Sequence, residues 1–185
     1  MSLETNKIRA QERLERKAAK LRLAHVTHQR QMAEVKTVLK EVNAVPMTRV
    51  SKKSIQHGNT TVYKHSLNVA VKSLEWAEKL HINENKKELI RGALLHDYFL
   101  YDWHNKDKGL HDLHGFRHPY FAAKNAKRHF KDLSDREENI IKRHMFPLVP
   151  IPPKTKEGWI VCFADKVCSF EETFGIVGKR RAAGQ

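Results

Sequence analysis

An all-α protein is expected from three features of the chain. Apolar residues recur at helical spacing in several separate segments, and clusters of proline, glycine and short polar residues break those segments apart. No stretch alternates apolar and polar residues convincingly as a half-buried strand does. At 185 residues the chain suits one domain with a real core and a small appendage.

The elements follow in order. Residues 4–44 hold almost no Gly or Pro and many good helix formers, which predicts one or two helices closed by Pro46. From Thr60 to Leu80, the residues Tyr63, Leu67, Ala70, Leu74 and Ala77 form one apolar stripe of an amphipathic helix. The sequence "HINEN" reads as a turn, and a further helix runs from about Glu84 to Phe99. Residues 100–117 lack periodicity and contain His104, His111 and His114, which reads as a long, functional loop. Pro119 suits the first turn of a helix with His118 at its cap, continuing to about Phe130. Ser134-Asp135-Arg136-Glu137 is a capping box that opens a helix to about His144. "PLVPIPP" is a loop, because its prolines lack the donors a helix needs. The last helix spans about Lys156 to Phe174, with Trp159, Phe163, Val167, Phe170 and Phe174 expected as its buried stripe.

The net charge of +14 is uneven, since residues 1–53 carry 13 Lys/Arg against 5 Glu. The expected division is a basic helical N-terminal extension (1–53), a core domain (54–178) and a basic tail (179–185). The extension is either a solvated helix face or a surface for nucleic acid or an acidic partner. No apolar run approaches the roughly 20 residues that span a bilayer, and the charged N-terminus lacks the apolar core of a signal peptide. A cytoplasmic protein without a membrane partner is expected; the sequence leaves the oligomeric state open. Cys162 and Cys168 read as reduced packing residues.

The chemistry lies in polar residues at costly positions. Asp165 sits on a helix face shared with Gly158, Val161, Cys162, Cys168 and Ser169, so it is expected to be buried, where a carboxylate needs a cation or several donors. His96-Asp97 ends the apolar helix "GALLHD", His65 borders the stripe of its own helix, and His144 ends "IIKRH". With His118, these make six candidates on five predicted helices. Imidazole and carboxylate are ligands of first-row divalent ions. Six ligands can serve two ions roughly 3.5–4 Å apart if one carboxylate, Asp97, bridges them. His118 competes with His114 as the loop ligand.

The order His65, His96-Asp97, His118, His144, Asp165 resembles the HD-domain superfamily of metal-dependent phosphohydrolases, in its binuclear H…HD…H…H…D branch. The resemblance covers roughly residues 55–175 and implies an HD-domain-like helical bundle with the N-terminal helical extension outside it. It implies His65, His96, Asp97 and Asp165 around one ion, and Asp97, His118 and His144 around the other. Tyr98-Phe99-Leu100 stands where the cyclic-dinucleotide branch carries Gly-Tyr-Pro, and Leu100 stands where several branches have Lys or Glu. Cyclic dinucleotide cleavage is therefore not implied, and the water-orienting role falls to Asp102 or His104.

The expected activity is hydrolysis of a phosphate mono- or diester, of a nucleotide by family analogy, by a hydroxide bridging the two metals. Asp97 is the central catalytic residue. Arg117 leads Lys64, Arg143 and Lys166 as the charge-neutralising cation, because it lies in a loop. Mn²⁺ or Fe²⁺ are the favoured ions, with Zn²⁺ or Mg²⁺ also compatible. Two alternatives stand beside this reading: a metal-stabilised helical module that binds nucleic acid or protein without turnover, and a mononuclear nucleoside monophosphatase.

Overall fold

The computed structural model describes residues 3–44, 55–57, 60–98 and 114–175. Among them are six helices, α1 (Leu3–Asn43), α2 (Val62–Lys79), α3 (Lys86–Leu95), α4 (His114–His129), α5 (Asp135–Arg143) and α6 (Lys156–Thr173), and two short strands, β1 (Ile55–His57) and β2 (Thr60–Thr61). The protein is all-α as expected. The strands, too short to show an alternating pattern, pair antiparallel as Ile55 with Thr61 and His57 with Thr60.

The chain divides into two units, Met1–Glu34 and Val35–Gln185, so that α1 contributes to both. In the first unit α1 is solvated. Ile8, Leu14, Leu21, Leu23 and Val26 are exposed, and Arg30 pairs with Glu34 one turn on at 3.5 Å. The expected domain boundary at 53/54 and the tail 179–185 lie outside the described residues.

In the second unit α1 buries Val35, Val38, Leu39 and Val42. Helix α2 packs on α3 and α6, α3 on α5, and α5 on α4 and α6. Thr61 caps α2 by accepting from the Lys64 amide, and Thr155 caps α6 by accepting from that of Gly158. The capping box of α5 forms in full between Ser134 and Glu137. Leu74, Leu89, Ile90, Leu95, Ile140 and Ile141 are fully buried, each worth about 1.5–3 kcal/mol relative to exposure. Gly92 sets how closely α3 approaches α5, since a Cβ there would stand 2.8 Å from Ile140 Cδ1. That closeness aligns the two helix ends that carry His96 and His144.

Three expectations change. Helix α3 ends at Leu95, with His96 as its C-cap, rather than at Phe99, which lies outside the described residues. Helix α4 begins at His114, so His118 and Pro119 sit inside it. Pro119 is the sixth residue of α4, past the four amides that lack an intrahelical acceptor, so it removes one backbone hydrogen bond from the helix. The third change is larger. The aromatic stripe of α6 faces outward, with Phe163, Phe170 and Phe174 at 53%, 57% and 63% exposure, while Gly158, Val161, Cys162, Asp165, Cys168 and Glu172 are buried. Small side chains on that inner face let α6 approach its neighbours, and the carboxylates it carries have their partners inside.

Candidate metal centre

Five helices deliver the candidate side chains, four of them near a terminus. His65 lies in the first turn of α2, His96 caps the end of α3 with Asp97 next, His118 lies in the second turn of α4, and His144 caps the end of α5. Asp165 comes from the middle of α6. All six are buried, and all six meet.

Asp97 stands at the centre and divides the cluster. Its Oδ2 lies 3.4 Å from His96 Nε2 and 3.9 Å from His65 Nε2. Its Oδ1 lies 3.3 Å from His118 Nε2 and 3.6 Å from His144 Nε2. Asp165 Oδ1 joins the first half, 3.0 Å from His65 Nε2 and 3.6 Å from His96 Nε2. Among the described residues, two groupings have one ligand atom per residue all within 4.8 Å of one another: His65, His96 and Asp165, and His96, Asp97 and His144.

The imidazoles are oriented by what their other nitrogens do. His96 Nδ1 donates to the Ala93 carbonyl at 2.7 Å, and His144 Nδ1 donates to that of Ile141 at 2.8 Å. In both cases a histidine at a helix C-terminus bonds back three residues, which consumes an otherwise unsatisfied carbonyl and turns Nε2 toward the cluster. His65 Nδ1 lies 2.8 Å from Glu172 Oε2, and the other Glu172 oxygen accepts from Asn68 at 2.8 Å. Ser169 Oγ donates to Asp165 Oδ1 at 3.3 Å. Lys166 Nζ donates to the carbonyls of His144 and Cys162, fixing the end of α5 against α6.

The arrangement fits a cation physically. His96 Nε2 is buried without a hydrogen-bond partner, a state that costs about 1–3 kcal/mol unless something else engages that nitrogen. His118 Nε2 and His144 Nε2 stand 2.9 Å apart. Since His144 has already spent its Nδ1 proton on Ile141, its Nε2 presents a lone pair there. A divalent ion would engage the His96 nitrogen and could take the place of the His118–His144 hydrogen bond.

Electrostatics differ across the cluster. Burial opposes charge on His65, but Asp165 and Glu172 outweigh it and raise its pKa to about 9. Burial likewise opposes charge on His96, and Asp97 and Asp165 still hold it well above its ordinary value. Asp97 and Asp165 resist the upward push of burial through the surrounding histidines and stay well below the usual carboxylate range. His144 goes the other way. Burial and the charges of His96 and His118 push it down to about 3.

The remaining candidates lie elsewhere. His104, with Asp102 and His111, falls outside the described residues. His114 opens α4. Arg117 is exposed, with its guanidinium over the Phe121 ring at 5.6 Å. Lys64 is exposed, and Arg143 donates to the Pro152 carbonyl. Tyr98 is buried against His129 and Phe130, so its ring belongs to the core. A mostly apolar cleft lined by Leu39, Val42, Val62, Tyr63, Ser66, Leu94 and Tyr98 reaches Asp97.

Glu172 is the residue that sequence reasoning missed. Its signal was its position seven residues after Asp165, which places a second acid on the same buried face of α6.

Compared with known proteins, the chain matches the HD domain family model over residues 62–169. That span starts at the first residue of α2 and ends within α6; it contains all six side chains of the cluster but not Glu172. No curated protein and no solved structure matches the chain.

Proposed function

The chain belongs to the HD domain family, a superfamily of metal-dependent phosphohydrolases, and from this premise we propose a binuclear enzyme that hydrolyses a phosphate mono- or diester, with nucleotides as the first substrate class to test. One observation carries the reading: Asp97 turns one carboxylate oxygen to His65 and His96 and the other to His118 and His144.

His65, His96, Asp97 and Asp165 would hold one ion, and Asp97, His118 and His144 the other. Mn²⁺ or Fe²⁺ suit this mixed imidazole and carboxylate set best. Such ions acidify a water molecule and neutralise charge on a phosphoryl group. The protein's own part is preorganisation. The back-bonds of His96 and His144 keep both Nε2 atoms turned inward, and Lys166 locks the His144 backbone. Arg117, exposed in the first turn of α4 rather than in the expected loop, serves in this reading as the cation for the phosphate, and His104 as the group that orients water.

Elemental analysis of the purified protein, combined with turnover assays on phosphorylated nucleotides and generic mono- and diesters, tests this. The expected result is two equivalents of metal and turnover that disappears with chelation. A single equivalent would reduce the site to a mononuclear one. Full metal loading without turnover of any phosphate ester would replace the enzyme with a metal-stabilised binding module.

One observation favours a nucleic-acid role for the extension. Arg13, Arg16, Lys17 and Lys20 are exposed on one face of α1. This face predicts nucleic-acid affinity that falls steeply with salt, and neutralising the four residues should abolish it while metal content stays the same.

A further inference from the structure

The outer face of α6 plays no part in the metal centre. Phe163, Phe170 and Phe174 are more than half exposed and Trp159 and Val167 partly so. The rings form two clusters. Trp159 stacks on Phe163 at 5.6 Å and meets Phe146 edge-on at 5.3 Å, while Phe170 and Phe174 lie 4.5 Å apart. A phenylalanine presents roughly 150–250 Å², so the three phenylalanines expose about 350 Å². That is the size of the largest apolar patch on a typical monomer, and such patches are often functional.

The spacing identifies the occupant. Trp159, Phe163, Phe170 and Phe174 follow one another at steps of four, seven and four residues, a pattern that reads the same in both directions. An antiparallel copy of the helix therefore sets Phe163 against Phe170 and Trp159 against Phe174, twice over, about a two-fold axis between Lys166 and Val167. A two-fold interface repeats every contact of i with j as j with i, and in this register each exposed ring of the stripe meets a ring of the copy. The charge nearest the axis does not oppose the pairing, because the Lys166 ammonium is turned to the carbonyls of His144 and Cys162. With Trp159, Val167 and Phe146 around the phenylalanines, the stripe supplies the apolar centre of an ordinary interface of about 800 Å² per partner.

We propose that the protein is a homodimer in which the α6 helices pack antiparallel through Trp159, Phe163, Val167, Phe170 and Phe174. Each α6 then faces its partner on one side and holds Asp165 in the metal centre on the other.

Sedimentation equilibrium across the micromolar range tests the proposal on the full chain. The expected mass is twice the chain's 21.6 kDa, and the double variant Phe163→Glu/Phe170→Glu should halve it while keeping its helical spectrum and bound metal. Cysteine crosslinking tests the register without depending on that variant's folding. Val167→Cys, closest to the axis, should form a disulfide-linked dimer on oxidation. Phe163→Cys alone should not, because its own copy lies about 10 Å further along the helix, beyond disulfide reach. The unmodified protein is the control, since Cys162 and Cys168 are buried. A monomeric unmodified protein would overturn the proposal, including one that instead binds anionic vesicles through this stripe. So would a dimer that survives the double glutamate variant, or crosslinking at 163 rather than 167.

Discussion

The two halves of the candidate centre share one carboxylate and differ in almost everything else. The half around His65, His96 and Asp165 has a second carboxylate within reach of both imidazoles, and Glu172 stands behind His65. The half around His118 and His144 has two imidazoles whose Nε2 atoms nearly touch, with Asp97 as the carboxylate between them. The first half is anionic and holds protons when no ion is bound, as the raised pKa values of His65 and His96 record. In the second, His144 stays neutral. Charge attracts a cation more strongly than a lone pair does, so the first half should fill first and hold its ion more tightly, and the second should be the exchangeable one.

The strongest way to break this comparison is to remove what both halves share. Asp97→Ala should abolish metal binding and phosphohydrolase turnover together while the far-UV CD spectrum stays helical; measurable turnover in a folded Asp97→Ala protein would sink the binuclear reading. Separating the halves comes next. Asp165→Asn should empty the first half and lower total metal below one equivalent. His118→Ala should leave about one equivalent bound, with affinity at the retained ion changed by less than tenfold. If the two variants lost metal in the opposite order, the ranking of the halves would be wrong.

Glu172 offers a finer cut within the first half. Glu172→Gln keeps an oxygen to accept from His65 Nδ1 but removes the charge that makes the imidazole a stronger donor. It should weaken the first ion about tenfold, and Glu172→Ala by up to about a hundredfold. Ser169→Ala, which removes a neutral hydroxyl donated to Asp165, should cost less than either. Equal losses in all three would mean that Glu172 acts through packing alone.

Much of the centre was legible in the chain because burying a polar side chain is costly, and that cost shows in sequence. His96-Asp97 at the end of an apolar helix and Asp165 on a face of small residues had to be satisfied by something, and the fold brings them together with His65, His118 and His144. The outer face of α6 was misread for a related reason. Hydrophobicity marks that Trp159, Phe163, Phe170 and Phe174 share a face, but it cannot tell a core from a docking surface when the true interior is itself polar. Glu172 was missed because an acid near the end of an exposed-looking helix reads as solvated until its partner, His65, is placed opposite across a hundred residues of chain. The start of α4 is hidden in the sequence because a proline ordinarily marks a first helical turn, whereas Pro119 lies inside the helix.

The smallest expected effect is in protons. His65, with a folded pKa near 9, and His96, also raised, each keep a proton at neutral pH when no ion is present. A metal needs the neutral imidazole, so binding in the first half must expel those protons, and apparent affinity must climb as pH rises toward the raised pKa values. The sign is fixed. A raised pKa favours the protonated, metal-free form, and that preference fades only as pH passes it. His144, at about 3, has no proton to give above mild acid and adds nothing to the slope. Calorimetric titration of His118→Ala, which keeps the first half alone, in two buffers of different ionisation enthalpy should therefore show about two protons released per ion at neutral pH. Release of none would mean that the first half is already deprotonated and that its carboxylates do not set it apart from the second.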